Sequence, residues 1–304
     1  MAYEDSYKQV QSPKYECILF HVDDTLYPLS SGIAAGCVKN IEDYMHEMLG
    51  IEKCKIPELC KVLYMNYGTT MAGLRAIGYD FDYDNYHSFV HGRLPYDNLK
   101  PCPELRSLLL SLPLRKVIFT NADEVHASVV LSRLGLEDCF EQIICFETLN
   151  PIQKNTISND VDDNVAFVVP KSSPSSTHSI SSGTEIFDII GHLFQANISD
   201  DEIKLPKTPV VCKPSEAAIE KALKIANIYP QTTLFFDDSI RNIQAGKRVG
   251  LHTVHVGTSQ RVEGADYALE NIHNIKEAFP ELWESGKVNK VKHNGTLLET
   301  CVIS

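Results

Sequence analysis

Cys17-Ile18-Leu19-Phe20-His21-Val22-Asp23-Asp24-Thr25-Leu26-Tyr27-Pro28 is the stretch on which the reading of this chain turns. An apolar run ending in a short aspartate-rich turn is how a buried parallel strand delivers acidic side chains to the carboxyl edge of an α/β sheet, where the sites of such folds form. The run predicts a strand over about Glu16 to Val22, with Thr25 to Pro28 turning the chain out of the sheet.

Working outward, apolar spacing is helical from Ser30 to about Lys100, through Ile33, Cys37, Ile41, Tyr44 and Met48, with Gly50, Pro57, Gly68 and Gly78 as punctuation. Strands are then expected over Arg115 to Thr120, Gln142 to Phe146, Val210 to Lys213, Thr232 to Asp237 and Leu251 to Val256. Helices fall between them, over Pro103 to Leu112, Glu124 to Leu134, Pro214 to about Asn227 and Ser239 to Val249. Alternation of this kind implies right-handed crossovers and a parallel, Rossmann-like sheet flanked by helices. The α/β core is expected over 15–29 and 101–284, with a helical insertion over 30–100 directly after the first strand. The segment 150–209 is serine-rich and is read as a partly disordered insertion, with one short docking helix over Glu185 to Phe194; 285–304 is read as a tail.

Four signals fall at strand ends. His21 and Asp23 close the first strand. Val117-Ile118-Phe119-Thr120-Asn121 ends in a hydroxyl and an amide, both able to donate hydrogen bonds to a phosphoryl group beside a helix amino end. Lys213 stands between a strand and a helix, where its ammonium can offset phosphate and carboxylates. Phe235-Phe236-Asp237-Asp238-Ser239 sets two adjacent carboxylates at a strand end, a repulsion that magnesium, which takes oxygen ligands, would relieve.

In this order the signals resemble the haloacid dehalogenase superfamily, whose phosphatases carry aspartates at the first and third positions of Asp-x-Asp-x-Thr. Asp24-Thr25-Leu26-Tyr27-Pro28, Tyr67-Gly68-Thr69-Thr70-Met71-Ala72-Gly73-Leu74 and Phe236-Asp237-Asp238-Ser239-x-x-Asn242-Ile243 are similar to its pyrimidine 5′-nucleotidase-like branch of plants and fungi. The resemblance implies a helical cap and a Mg2+-dependent phosphoester hydrolase acting on a nucleoside monophosphate or similar small phosphorylated metabolite. It implies Asp23 as general acid/base, Thr120, Asn121 and Lys213 on the phosphate, and the Asp23 backbone carbonyl with Asp237 and Asp238 on the metal. Asn242 would stand behind these ligands, and Tyr67, Arg75, His87 and Arg93 are the cap's candidates for the organic part.

The nucleophile position, however, holds His21. The exchange removes a carboxylate nucleophile and an oxygen ligand and puts in an imidazole, which magnesium accepts poorly. Three readings stay open: impaired catalysis, a phosphohistidine route, and a sequence variant. Beside hydrolysis stands a different class of function, a non-catalytic phospho-ligand-binding or regulatory pseudophosphatase.

Composition bounds the rest. The 304 residues are 43% hydrophobic, enough for a sizeable core, and the formal charge of −12 argues against general affinity for nucleic acid or anionic membrane. No apolar run approaches the roughly 20 residues that span a bilayer. Nine scattered cysteines without a Cys-x-x-Cys pair fit free thiols in a reducing compartment, so the expected location is cytoplasmic, with nuclear entry open. His87 and His91 have helical i, i+4 spacing but no third ligand for zinc nearby, and are read as a pair on the cap surface; His252 and His255 are read as structural.

Overall fold

The structure is a computed structural model that describes residues 14–151, 186–196 and 204–283. The expected tail and most of the serine-rich segment lie outside these residues. The chain runs β1 (Cys17–Phe20), α1 (Ile33–Glu47), α2 (Ile56–Tyr67), α3 (Thr70–Ala76), α4 (Tyr83–His91), α5 (Pro103–Ser111), β2 (Arg115–Phe119), α6 (Glu124–Leu134), β3 (Gln142–Ile144) and α7 (Phe146–Leu149). It continues through α8 (Ile189–Ala196), α9 (Glu216–Ala226), β4 (Thr233–Asp237), α10 (Ile240–Val249), β5 (His252–Val256), β6 (Tyr267–Leu269) and α11 (Ile275–Ala278).

The six strands form one sheet in the order β3-β2-β1-β4-β5-β6, every pair parallel. β1 is only four residues long, yet it lies between β2 and β4 and is buried throughout. Its side chains alternate as a strand requires: Ile18 and Phe20 pack with Leu105, Ile118, Val130 and Phe236 on one face. Cys17 and Leu19 pack with Val117, Phe119, Ile219 and Phe235 on the other. Both faces are therefore covered, which is why the strands read as continuous apolar runs. The chain crosses to one side of β1 for β2 and β3 and to the other for β4 to β6, so the β1/β4 edge is a topological switch point, where ligand crevices open in such sheets.

Helices α1 to α4 occupy the connection between β1 and β2 and have a core of their own, around Tyr44, Leu63, Leu74 and Tyr86. Ile189 of α8 joins that core, and the Phe187 backbone N–H donates to the Ile77 carbonyl at 2.9 Å. The short helix expected after Glu185 is thus present and docks, although it begins at Ile189.

Two expectations need correction. Val210 to Lys213 is not a strand. Side-chain amides take over the backbone groups that a ladder would use: Asn150 accepts from Val211 N at 2.7 Å and donates to its carbonyl at 3.0 Å, and Asn121 does the same for Lys213 at 2.8 and 3.0 Å. Pro214 likewise does not open the next helix, which starts at Glu216 after Ser215. The short elements α7, β6 and α11 were not expected at all, being three or four residues each, too short to display a period. Among the described residues no helix is long and apolar enough to cross a membrane.

Gly68 couples the helical segment to the Lys213 loop. Its φ is +89°, and a Cβ there would lie 2.2 Å from the Lys213 carbonyl oxygen and 2.7 Å from Pro214 Cδ. Gly68→Ala is expected to cost about 2–4 kcal/mol, from left-handed strain plus overpacking, read as a lower urea midpoint at unchanged slope.

Candidate functional site

β1, β2 and β4 all end at the same edge, so His21, Thr120 and Asp237 to Asp238 arrive together without being near in sequence. Register holds the first in place: the His21 N–H donates to the Phe236 carbonyl at 2.8 Å, continuing the β1/β4 ladder by one residue. Above this edge, between α1, α4 and the α2–α3 turn, lies a cavity of about 570 Å3. Its floor includes His21, Asp23, Thr120, Asn121, Asp238 and Asn242.

Each carboxylate on the floor has an environment of its own. Asp237 is fully buried and receives Lys213 Nζ at 2.6 Å, Asn242 Nδ2 at 2.9 and 3.1 Å and Ser239 N at 2.9 Å. Burial works against its ionisation, but the Lys213 ammonium and these donors outweigh it and hold the carboxyl below the usual range. Asp23 Oδ1 receives the Tyr27 hydroxyl at 2.6 Å and His126 Nε2 at 2.7 Å. Burial again opposes, and His126 again wins: Asp23 is held well below the ordinary carboxylate range and the His126 imidazole is pushed up. Asp238 has no such cation. Burial and the neighbouring Asp237 push its carboxyl up to about 7, its Oδ1 lying 3.4 Å from the Thr25 hydroxyl and 3.7 Å from His21 Nε2.

His21 itself is held neutral, first by burial and then by the Lys213 charge, and its Nδ1 is buried without a partner. Asp24, in the left-handed region at φ 54°, has a buried unpartnered Oδ1 and a carboxyl raised to about 6 by burial and by Asp23.

The sign of the Asp238 shift gives a test. A carboxyl whose folded pKa is raised binds an extra proton in the native state between about 4 and about 7, so stability falls as pH rises through that window. Asp238→Asn is expected to raise stability by about 1–2 kcal/mol at pH 8 and not at all below pH 4, the full linkage value being discounted because the side chain is a third exposed to solvent. Urea unfolding at the two pH values reads it.

Several residues named from sequence have different partners from those expected. Lys213 is not a free cation over the cavity; it is wholly buried, on Asp237 and on the Phe119 carbonyl at 2.8 Å. Asn121 spends its amide on the Lys213 backbone, while the Thr120 hydroxyl accepts from Ala122 N at 3.1 Å and keeps its proton to give. Tyr67, Arg75 and Arg93 do not line the cavity. Tyr67 donates to the Pro206 carbonyl at 3.0 Å, Arg75 pairs with Asp80 beneath Phe81 and Tyr83, and Arg93 folds over the Phe89 ring. His87 does line it and is buried, and His91 is half-buried beside it, the two rings stacked at 5.6 Å. His91 pairs with Asp123 and lies 4.5 Å from the His126 ring.

His126 is the functional residue that the sequence reading missed. It sits in the first turn of α6, three residues after the Asp123 cap, so its ring returns to the sheet edge. Its Nδ1 meets the Tyr96 hydroxyl at 2.7 Å, extending the chain Asp23–His126–Tyr96. A histidine in the first helical turn after a site strand was the available signal.

A magnesium ion does not fit this donor set. Asp237 has its acceptor positions filled by Lys213, Asn242 and Ser239, and the Asp23 carboxylate is taken by Tyr27 and His126. On the cavity floor that leaves, of the expected oxygen ligands, the Asp23 backbone carbonyl and one carboxylate, Asp238, which faces an imidazole. Among the described residues no group of three or more histidine, cysteine or acidic side chains is arranged to hold a metal.

Residues 172–256 match the family model described as haloacid dehalogenase-like hydrolase. The match covers 85 of the 304 residues and marks a likeness to that family in the part of the chain that holds Lys213, Asp237 and Asp238. A curated relative, phosphate metabolism protein 8 of Saccharomyces cerevisiae, is 28% identical over 153 residues, 48% of this chain and 48% of that protein. The match thus spans about half the length of that relative. Similar solved structures include a haloacid dehalogenase-type phosphatase from Thermococcus onnurineus, 14% identical, covering 87% of this chain and 97% of that one at a TM-score of 0.46. CbbY from Rhodobacter sphaeroides, in complex with phosphate, is 14% identical over 86% of this chain and 96% of that one, at 0.47.

Proposed function

We propose that this protein binds a small phosphorylated metabolite at the carboxyl edge of β1, β2 and β4, as a phosphoester hydrolase by descent whose turnover is impaired. The observation that carries the reading is His21: the strand-end residue beneath the cavity, where an in-line attack on phosphorus would start, is a half-buried imidazole, its pKa lowered by its surroundings, rather than a carboxylate. The ring reaches further from the backbone than a carboxylate does, and its Nε2 already lies 3.7 Å from Asp238, so a phosphorus atom seated for the shorter side chain meets a clash instead of an aligned lone pair.

The remaining machinery supports binding and proton handling. Thr120 supplies a hydroxyl donor, and Lys213 with Asn121 fixes the floor. Asp23 and His126 form one acid–base unit in which the carboxylate carries the charge and the imidazole holds the proton. Magnesium dependence and a nucleoside monophosphate substrate, implied by the motif likeness, belong to the ancestral activity in this reading. The present donor set has lost the first. A phosphatase assay of the natural protein with magnesium, over nucleoside monophosphates and simple aryl and alkyl phosphates, is expected to give negligible release of phosphate while inorganic phosphate still raises the melting temperature. An ordinary rate, about 10 per second, would refute the reading.

A further inference from the structure

Two connections join the helical segment to the sheet, one from β1 into α1 and one from α4 into α5. A unit with a hydrophobic core of its own, joined in this way, is by default free to swing on its connections. Here a third stretch of chain ties the two together. α8 and residues 205–213 lie in the sequence between the core elements α7 and α9, yet they pack on the helical segment.

Its attachments on the helical side are specific. Ile189 is 1% exposed within that core, and Phe187, Leu193 and Leu205 pack against the same cluster. The Tyr67 hydroxyl donates to the Pro206 carbonyl at 3.0 Å, and the Thr208 hydroxyl to the Ala72 carbonyl at 2.7 Å. Val210 and Cys212 are buried in this core too, and the Cys212 thiol lies 3.4 Å from the Tyr67 carbonyl. The attachments on the sheet side follow at once. Lys213 is wholly buried on Asp237, while the side-chain amides of Asn150 and Asn121 hold the backbones of Val211 and Lys213. Adjacent residues are therefore rooted in the two units, Cys212 in the helical core and Lys213 at the sheet edge. Neighbouring Cα atoms are about 3.8 Å apart, which leaves no slack for the units to part unless one of these buried side chains is withdrawn.

Access to the cavity does not require them to part. Val38 of α1 and Lys61 and Tyr64 of α2 line it and are exposed, so it meets solvent between these two helices.

We infer that α8 and residues 205–213 form a strap that holds the helical segment in one position over the sheet. The competing anchor is Arg241 of α10, whose guanidinium donates to the Tyr64 and Met65 carbonyls at 2.7 and 3.1 Å.

The test is double electron–electron resonance on the full chain, with nitroxides carried on p-acetylphenylalanine in place of Glu58 of α2 and Glu220 of α9, both exposed, so that the native thiols stay unlabelled. One narrow separation is expected. A second one, longer by about 5 Å or more and present in over about a tenth of the molecules, overturns the inference. Ile189→Ala with Thr208→Val unfastens the strap without altering a residue that lines the cavity, and is expected to bring in that second separation. A folded variant that keeps the single separation overturns the inference. Arg241→Ala is expected to keep it; release of the segment by Arg241→Ala and not by the strap variant would assign the hold to α10 and end the proposal. Should Ile189→Ala with Thr208→Val fail to fold, Tyr67→Phe with Thr208→Val keeps the Tyr67 ring and removes the two hydrogen bonds. Amide hydrogen exchange over 205–213 is then expected to quicken about tenfold while that of β1 is unchanged, and unaltered exchange over 205–213 overturns the inference.

Discussion

His21→Asp is expected, on the reading proposed above, to give a magnesium-dependent phosphatase. The gain should be large, because a missing nucleophile is among the costliest single losses in a hydrolase, up to about 10⁶-fold in turnover. The same substitution should change metal binding, and the sign follows from the charges already on the floor. Asp237 is neutralised by Lys213 and Asp23 is paired with His126, which leaves Asp238 the unmatched carboxyl of the cavity floor, with Asp24 a second raised carboxyl near it. A second carboxylate beside Asp238 would repel it, so the metal-free variant should melt below the natural protein. Magnesium should then restore the loss, by RT ln(1 + [Mg]/Kd), whereas it should leave the natural protein's melting temperature nearly unmoved. Two readouts, phosphate release and the magnesium-dependent melting shift, make the result decisive. A folded His21→Asp protein that binds magnesium and hydrolyses no phosphomonoester would remove the hydrolase descent from the proposal. A natural protein that gains as much stability from magnesium as the variant does would show that the present donor set suffices.

The fold was legible where side-chain period decides structure, and the site where strand ends decide it. Phe20, Phe119 and Phe236 are the apolar runs' last members, and the polar residues after them had to emerge at one edge once the strands were parallel. What could not be read was the choice of partner. Lys213 lies near the acidic strand end, as its place in the sequence led one to expect, but whether its ammonium faces a ligand or Asp237 depends on how deeply the loop is drawn in, and that depth is set by two amides, Asn121, 92 residues from Lys213, and Asn150, 61 residues from Val211. His126 offered only its place in the first helical turn after a site strand, and its pairing with Asp23, 103 residues away, is a tertiary choice of the same kind. The pair His87 and His91 was misplaced on a surface because spacing reports which residues share a face, not what covers that face; here Phe146 and Asp123 do. Tyr67 and the arginines of the helical segment show the converse, since polar side chains expected at the cavity found nearer partners in Pro206, Asp80 and Phe89.

Lys213→Met should be the most destabilising of the substitutions considered, by about 3–5 kcal/mol, because it strands a buried carboxylate. Both side chains of the Lys213–Asp237 pair are wholly inaccessible to solvent, so no water can replace the ammonium. Against a typical domain stability of about 5–15 kcal/mol this approaches unfolding at body temperature. The pH dependence should also change sign. In the natural protein Asp237 is held below its unfolded pKa, so its contribution is present above about pH 4 and is lost as pH falls through the folded value. Without the ammonium the buried carboxyl is raised instead, the native state takes up a proton, and stability falls as pH rises from about 4. Adding Asp237→Asn removes that charge while leaving an amide oxygen to accept from Ser239 and Asn242, so the double variant should be more stable at pH 8 than Lys213→Met alone. A double-mutant cycle from urea unfolding at pH 5 and pH 8 checks this: the coupling energy should be well over 1 kcal/mol at pH 8 and shrink at pH 5. Additive losses at both pH values would mean that the ammonium serves the loop through the Phe119 carbonyl rather than Asp237 through its charge.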